Sequence, residues 1–352
     1  MSFISRKQLF LLQWYILFPL LFSCAPLKSV KESEAKDKAF TEADVKASQR
    51  LVGLNFTQAE IDTMYNYLLR NRANYDTMRT FALDYNSLPA IQFNPHPTDF
   101  RIPLNQKPIT WEIPESVSLP ENINDLAFYS VMELAALVKS KQITSLELTQ
   151  FFLARLKKYD PILKAVITLT EERAIDRARQ ADKEISAGNY RGPLHGIPYG
   201  VKDIIAVKGY KTTWGSEPYK DQVIEETATV VKKLDDAGAV LVAKLTSGAL
   251  ARGDVWFGGK TLSPWDTTQG SSGSSAGSAS ATAAGLVPFA LGTETWGSII
   301  SPSTRCGVTG LRPTYGRVSR SGVMALSWSM DKVGPICRSA TDCAVVFETI
   351  RG

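Results

Sequence analysis

With 352 residues, 44% of them hydrophobic, the chain can bury one large core or two and is too apolar to stay disordered. Its 40 basic and 35 acidic residues leave a net charge of +5, nearly neutral for this length, so nucleic acid is not an expected partner. The four cysteines and two histidines lack zinc-site spacing, so neither a metal nor another cofactor is expected.

Residues 1–24 read as a signal peptide. Arg6 and Lys7 precede an apolar run, Leu9 to Phe22, too short and irregular for a membrane span. The run ends Leu21-Phe22-Ser23-Cys24, similar to a bacterial lipobox, although Phe22 stands where a small residue is usual. Cys24 is then the expected lipidation site. That implies export to the bacterial cell envelope, attachment to a membrane through Cys24, and an oxidising compartment. Cys306, Cys337 and Cys343 remain, so at most one disulfide can form.

Residues 25–40, rich in Lys, Glu and Asp, form an expected tether. A helical arm follows over residues 41–87. One helix starts at Thr41 and a second at the capping box Thr57-Gln58-Ala59-Glu60, with Ile61, Met64, Tyr65 and Leu68 at helical spacing. Residues 88–124 carry seven prolines from Pro89 to Pro120 and little periodicity, as in a linker or a strap over the surface.

The main domain spans residues 125–352. Thr144 and Glu147 form another capping box, Ala165 to Thr170 is strand-like, and Glu171 to Ala187 is an amphipathic helix stopped by Gly188. Thr229 to Ala237 reads as a helix stopped by Gly238, and Ala239 to Ala243 as a buried strand. Strands alternating with helices make this an α/β layered fold.

The stretch GSSGSSAGSAS from Gly270 has the composition of a flexible linker. It passes without a break into Ala279 to Leu291, which is small, apolar and suited to a buried helix, so a linker is not expected. A second turn, Gly292-Thr293-Glu294-Thr295-Trp296-Gly297-Ser298, places a serine behind backbone amides that can converge on one point. Converging amides stabilise an oxyanion. A lone lysine lies upstream in GIPYGVKD, Gly196 to Asp203.

Taken together, these segments resemble the amidase signature family. GIPYGVKD matches its lysine motif, SSGSSAGSASATAAG its serine- and glycine-rich signature, and GTETWGSI its nucleophile turn. GLRPTYGRVSRSGV and SMDKVGPICRS match the stretch that follows, in the family's order. The resemblance covers about Asp125 to Gly352 and implies a central mixed β-sheet flanked by helices. It implies Lys202 as general base, Ser274 as a bridging serine on a cis peptide bond, and Ser298 as nucleophile. The amides of Thr295, Trp296, Gly297 and Ser298 would surround the oxyanion. Ser275 would support the serine network, and Asp203 would order the lysine loop by hydrogen bonding. The implied substrate is a small-molecule or peptide amide, and a homodimer stays open.

The chemistry needs these residue types. Serine is a weak nucleophile until a base takes its proton, and a lysine serves only when neutral, which burial favours. Neutral Lys202 would draw the Ser274 proton, Ser274 that of Ser298, and Ser298 would attack the amide carbonyl to form an acyl-enzyme. His195 is expected to be structural. Arg305 is a candidate to reach the pocket.

Three departures from the family pattern stand out. Glu294 replaces a common Asp, Trp296 a common Gly, and Ile300 a common Arg. Trp296 is expected to narrow the acyl pocket or form its wall. Relatives usually continue well past the position of Gly352, so an incomplete fold at the C-terminus is expected. The resemblance leaves two other readings open. One is an amidotransferase A-subunit-like protein, to which GLRPTYGRVSRSG is similar. The other is a catalytically inactive envelope lipoprotein.

Overall fold

The computed structural model describes residues 40–81, 99–101, 105, 109–327 and 329–352. The chain divides into two units, Met1–Gln92 and Phe93–Gly352. Residues 1–39, with the expected signal peptide, Cys24 and most of the tether, lie outside the described residues.

In the first unit, α1 (Glu42–Val52) and α2 (Gln58–Arg79) each start on a capping box, Thr41 with Asp44 and Thr57 with Glu60. In each box the threonine hydroxyl takes an amide that the helix leaves unbonded, and the carboxylate returns to the threonine amide. α1 ends at Gly53, whose φ of 68° is the left-handed conformation that favours glycine. Tyr65 donates its hydroxyl to the Phe40 carbonyl at 2.8 Å.

The second unit begins with a described stretch whose Trp111, Ile113 and Val117 pack on the core, as a strap does. α3 (Val131–Lys139) and α4 (Ser145–Leu163) lead into β1 (Val166–Leu169) and α5 (Glu171–Ser186). Then come β2 (Pro198–Lys202), α6 (Thr229–Asp236), β3 (Val240–Leu245), and the small pair β4 (Val255–Trp256) and β5 (Gly259–Lys260). α7 (Ala276–Ala283), β6 (Phe289–Glu294), α8 (Ile300–Cys306), β7 (Thr309–Gly310), β8 (Lys332–Cys337) and α9 (Ala340–Ile350) complete it.

Six strands form one sheet in the order β1-β3-β2-β6-β8-β7. β3, β2 and β6 run parallel, while β1, β8 and β7 pair antiparallel to their neighbours, so the sheet is mixed. Every residue of β2, β3, β6 and β8 is buried, as expected of strands covered on both faces. Residues of β3 enter two cores. Leu241 joins Leu134, Phe152 and Val346, whereas Val240, Val242, Ala243 and Leu245 join Leu156, Ala178 and Leu286. Val240, Leu241 and Val242 alternate, which puts those cores on opposite faces of the sheet, and the register shift against β2 skips Val242 and breaks the alternation.

This pairing sets the site. Val201 of β2 pairs with Leu291 of β6, so Lys202 and Gly292–Glu294 come to the same end of adjacent parallel strands. In parallel α/β sheets that carboxyl end is where ligands bind.

Two sequence expectations need correction. Ala279 to Leu291 is not one buried helix. α7 stops at Ala283, the chain turns through Gly285 at φ 63°, and Phe289 opens β6. Phe289 stacks on Tyr199 of β2 with ring centroids 5.3 Å apart, an interaction that a continued helix would forgo. Likewise Gly292, Thr293 and Glu294 end β6, and only Thr295 onward is turn. Cys306, Cys337 and Cys343 are all buried and unpaired.

Candidate active site

Lys202 is fully buried at the end of β2. Its Nζ lies 2.7 Å from Ser274 Oγ and 2.8 Å from Thr293 Oγ1. Burial pulls its pKa from the usual lysine range down to about 7, against the upward pull of Asp331 and Glu294. Loss of hydration outweighs two carboxylates because neither bonds the ammonium. A substantial fraction of Lys202 is therefore neutral near neutral pH and able to accept a proton.

Ser274 is positioned by the loop before α7, and the Gly273–Ser274 peptide is cis. Gly273 has no room for a side chain, since a Cβ would fall 1.8 Å from the Gly253 carbonyl oxygen. The Ser274 carbonyl accepts the Gly248 amide. Ser275 holds β6 against this loop. Its hydroxyl donates to the Thr293 carbonyl and accepts the Thr293 amide, each at 3.1 Å, and its own amide donates to the Ser298 carbonyl.

Ser298 sits after β6 with 9% of its surface exposed. It lines a cavity of about 290 Å³ together with Ser274, Thr293, Thr295, Asp331 and Lys332. Its hydroxyl makes no hydrogen bond to Ser274 among the described residues. Gly297 has a φ of 83°, which turns the backbone just before the serine. The amides of Thr295, Trp296, Gly297 and Ser298 find no acceptor among the described residues. Glu294 braces this turn from below, accepting the amides of Ile299 and Ile300 at 2.8 and 3.0 Å. The arrangement can therefore lend donors to a developing oxyanion beside an accessible hydroxyl.

Asp203 orders the lysine loop, as expected. It is fully buried and accepts both the amide and the hydroxyl of Thr213. Its charged partner is one that the motifs do not indicate. Lys244 of β3, also fully buried, places Nζ 2.8 Å from Asp203 Oδ1 and bonds the Thr212 hydroxyl and the Lys211 carbonyl. Burial pulls Lys244 down, and the Asp203 carboxylate holds it up. A lysine closing the apolar run AVLVA is the one sequence signal for it. Breaking a buried pair leaves an uncompensated charge. Lys244→Met is expected to cost about 3–5 kcal/mol of stability, most of it recovered in the Lys244→Met/Asp203→Asn double variant, as read by urea unfolding.

Thr293, Asp331 and Lys332 also reach the cavity, although the sequence gives none of them a role. Asp331 accepts the Thr295 hydroxyl at one oxygen and the amides of Leu326 and Ser327 at the other. It thus ties the turn before Ser298 to the loop over the cavity. Two expectations fail. The Trp296 side chain is 82% exposed and does not line the cavity, so it is no pocket wall. The chain turns at its neighbour Gly297, and the indole faces solvent. Arg305 bonds Gln269 across a separate shallow depression and does not reach Ser298. His195 is buried away from the cavity, its Nδ1 accepting the Arg191 amide, in keeping with a structural role. Among the described residues, no group of three or more His, Cys, Asp or Glu could hold a metal.

The Amidase family model matches residues 147–352. The chain is 44% identical over 226 residues to the A-subunit of Glutamyl-tRNA(Gln) amidotransferase from Methylococcus capsulatus, covering 63% of this chain and 46% of that protein. The solved native peptide amidase from Stenotrophomonas maltophilia superposes with a TM-score of 0.60 at 40% identity, over 63% of this chain and 48% of that one. The solved A-subunit of Glutamyl-tRNA(Gln) amidotransferase from Thermotoga maritima gives 0.56 at 34% identity, over 65% and 48%. The chain spans about half the length of the curated relatives it matches.

Proposed function

The chain belongs to the amidase signature family, and from that premise we propose that it is an amidohydrolase acting through Ser298, Ser274 and Lys202. The observation that carries this reading is the buried Lys202–Ser274 contact of 2.7 Å beside a cavity lined by Ser298.

The proposed cycle starts with neutral Lys202. It takes the Ser274 proton as Ser274 takes that of Ser298, and Ser298 Oγ bonds to the amide carbonyl carbon. The proposed Ser298–Ser274 hydrogen bond forms only when substrate fills the cavity, since catalytic hydrogen bonds often become well aligned only in the complex. The amides of residues 295–298 take up the negative charge on the carbonyl oxygen. The C–N bond then breaks, and the proton held by Lys202 returns through Ser274 to the leaving nitrogen. Water, deprotonated by the same relay, releases the carboxylate and restores Ser298.

A second reading is favoured by the identity to amidotransferase A-subunits. There the same amide cleavage would serve a larger assembly. Peptide amides, aryl amides and short aliphatic amides should be offered to the full chain and ammonia or amine release measured. Release by the chain alone supports the hydrolase. Release that requires added amidotransferase partner proteins supports the second reading, and none under either condition contradicts both.

A further inference from the structure

The cavity beside Ser298 holds a cation that the proposed chemistry does not use. Lys332, at the start of β8, is only 8% exposed and lines the cavity. Its ammonium donates to the Thr295 carbonyl at 3.1 Å. The other two ammonium hydrogens have no acceptor among the described residues. A buried ammonium with open donors favours an anionic partner.

The neighbouring charges do not satisfy it. Asp331 spends one oxygen on the Thr295 hydroxyl and the other on two backbone amides. Glu294 is turned to the amides of Ile299 and Ile300, with Arg312 3.7 Å away. Arg320, the other cation on the cavity wall, donates to the Tyr315 hydroxyl and the Ser327 carbonyl. Asp331 and Glu294 thus pull on Lys332 through space without bonding it, and Arg320 is itself engaged, so Lys332 is the cation of the described wall whose ammonium keeps two hydrogens for a ligand.

Resting on the amidohydrolase reading, we propose that Lys332 recognises a carboxylate carried by the substrate itself. The preferred substrates are then amides with a free carboxylate a short chain away from the scissile carbonyl. A cavity of about 290 Å³ suits a small molecule of this kind.

Binding and catalysis can be separated. Titration calorimetry on the full-length Ser298→Ala chain measures the affinity of monoamides of short dicarboxylic acids against the matching neutral diamides. Fluorophosphonate labelling of the unaltered chain reports independently on the nucleophile, so the amidohydrolase reading can fail without the binding claim failing. The monoamide is expected to bind at least roughly tenfold more tightly than the diamide, the worth of one charge-assisted hydrogen bond. Adding Lys332→Gln should erase that ratio, whereas Lys332→Arg should keep most of it. Equal affinities, no measurable binding of either series, or a preference that survives Lys332→Gln in a folded protein would overturn the proposal.

Discussion

Ser298→Ala is expected to lower amide turnover by on the order of 10⁴-fold or more while leaving the fold intact. The serine hydroxyl makes no hydrogen bond on which the surrounding turn depends. That turn is held instead by Glu294, by Gly297 and by the Ser275 amide on the Ser298 carbonyl. Circular dichroism and urea unfolding should therefore match those of the unaltered chain. The loss falls on the bond-forming step, because Ser298 lines the same cavity as Ser274 and directly follows the amides of residues 295–297, which are unbonded among the described residues. A variant that kept full turnover would remove Ser298 from the mechanism.

Lys202→Met should be nearly as damaging, and its pH behaviour separates a base from a structural lysine. With a pKa near 7, activity of the unaltered chain should rise with pH up to about 7 and then level off. Stability carries the same signature. Unfolded Lys202 binds a proton up to its ordinary value of 10.5, whereas folded Lys202 releases it above about 7. Between those limits the unfolded state holds more protons, so raising pH favours folding by about 1.4 kcal/mol per unit from this residue alone. Below about 7 both states are protonated and the contribution is flat. The stability difference between unaltered chain and Lys202→Met should thus grow in favour of the unaltered chain from pH 7 upward. A difference independent of pH across that window would mean that Lys202 stays charged in the fold.

Local signals in the sequence account for much of the fold. Thr57 with Glu60 and Thr144 with Glu147 mark helix starts because each box satisfies amides within four residues. Gly188 and Gly238, at φ 86° and 81°, mark helix ends for an equally local reason. The break between α7 and β6 has a signal of the same kind in Gly285, at φ 63°. The small apolar residues around it suit a helix or a strand equally, so the strand is legible only once Phe289 pairs with Tyr199 of β2, distant in sequence.

The site divides in the same way. Lys202, Ser274 and Ser298 are legible because each sits in a motif of its own, and the fold brings Ser274 and Ser298 to one cavity with Lys202 bonded to Ser274. Thr293 lies within a motif, yet its bond to Lys202 links residues 91 apart and needs the β2–β6 pairing to exist. Lys332 and Asp331 likewise gain meaning only when β8 pairs beside β6. Trp296 shows the reverse error: a large side chain two residues before a candidate nucleophile suggests a wall, but the side chain lies in solvent.

The most direct test of the relay is fluorophosphonate labelling of the full chain, with the adduct mapped by peptide mass analysis. One adduct on Ser298 is expected, absent in Ser298→Ala and strongly slowed in Lys202→Met. A folded chain that takes no adduct, or one whose labelling persists in Ser298→Ala, would contradict the proposed mechanism.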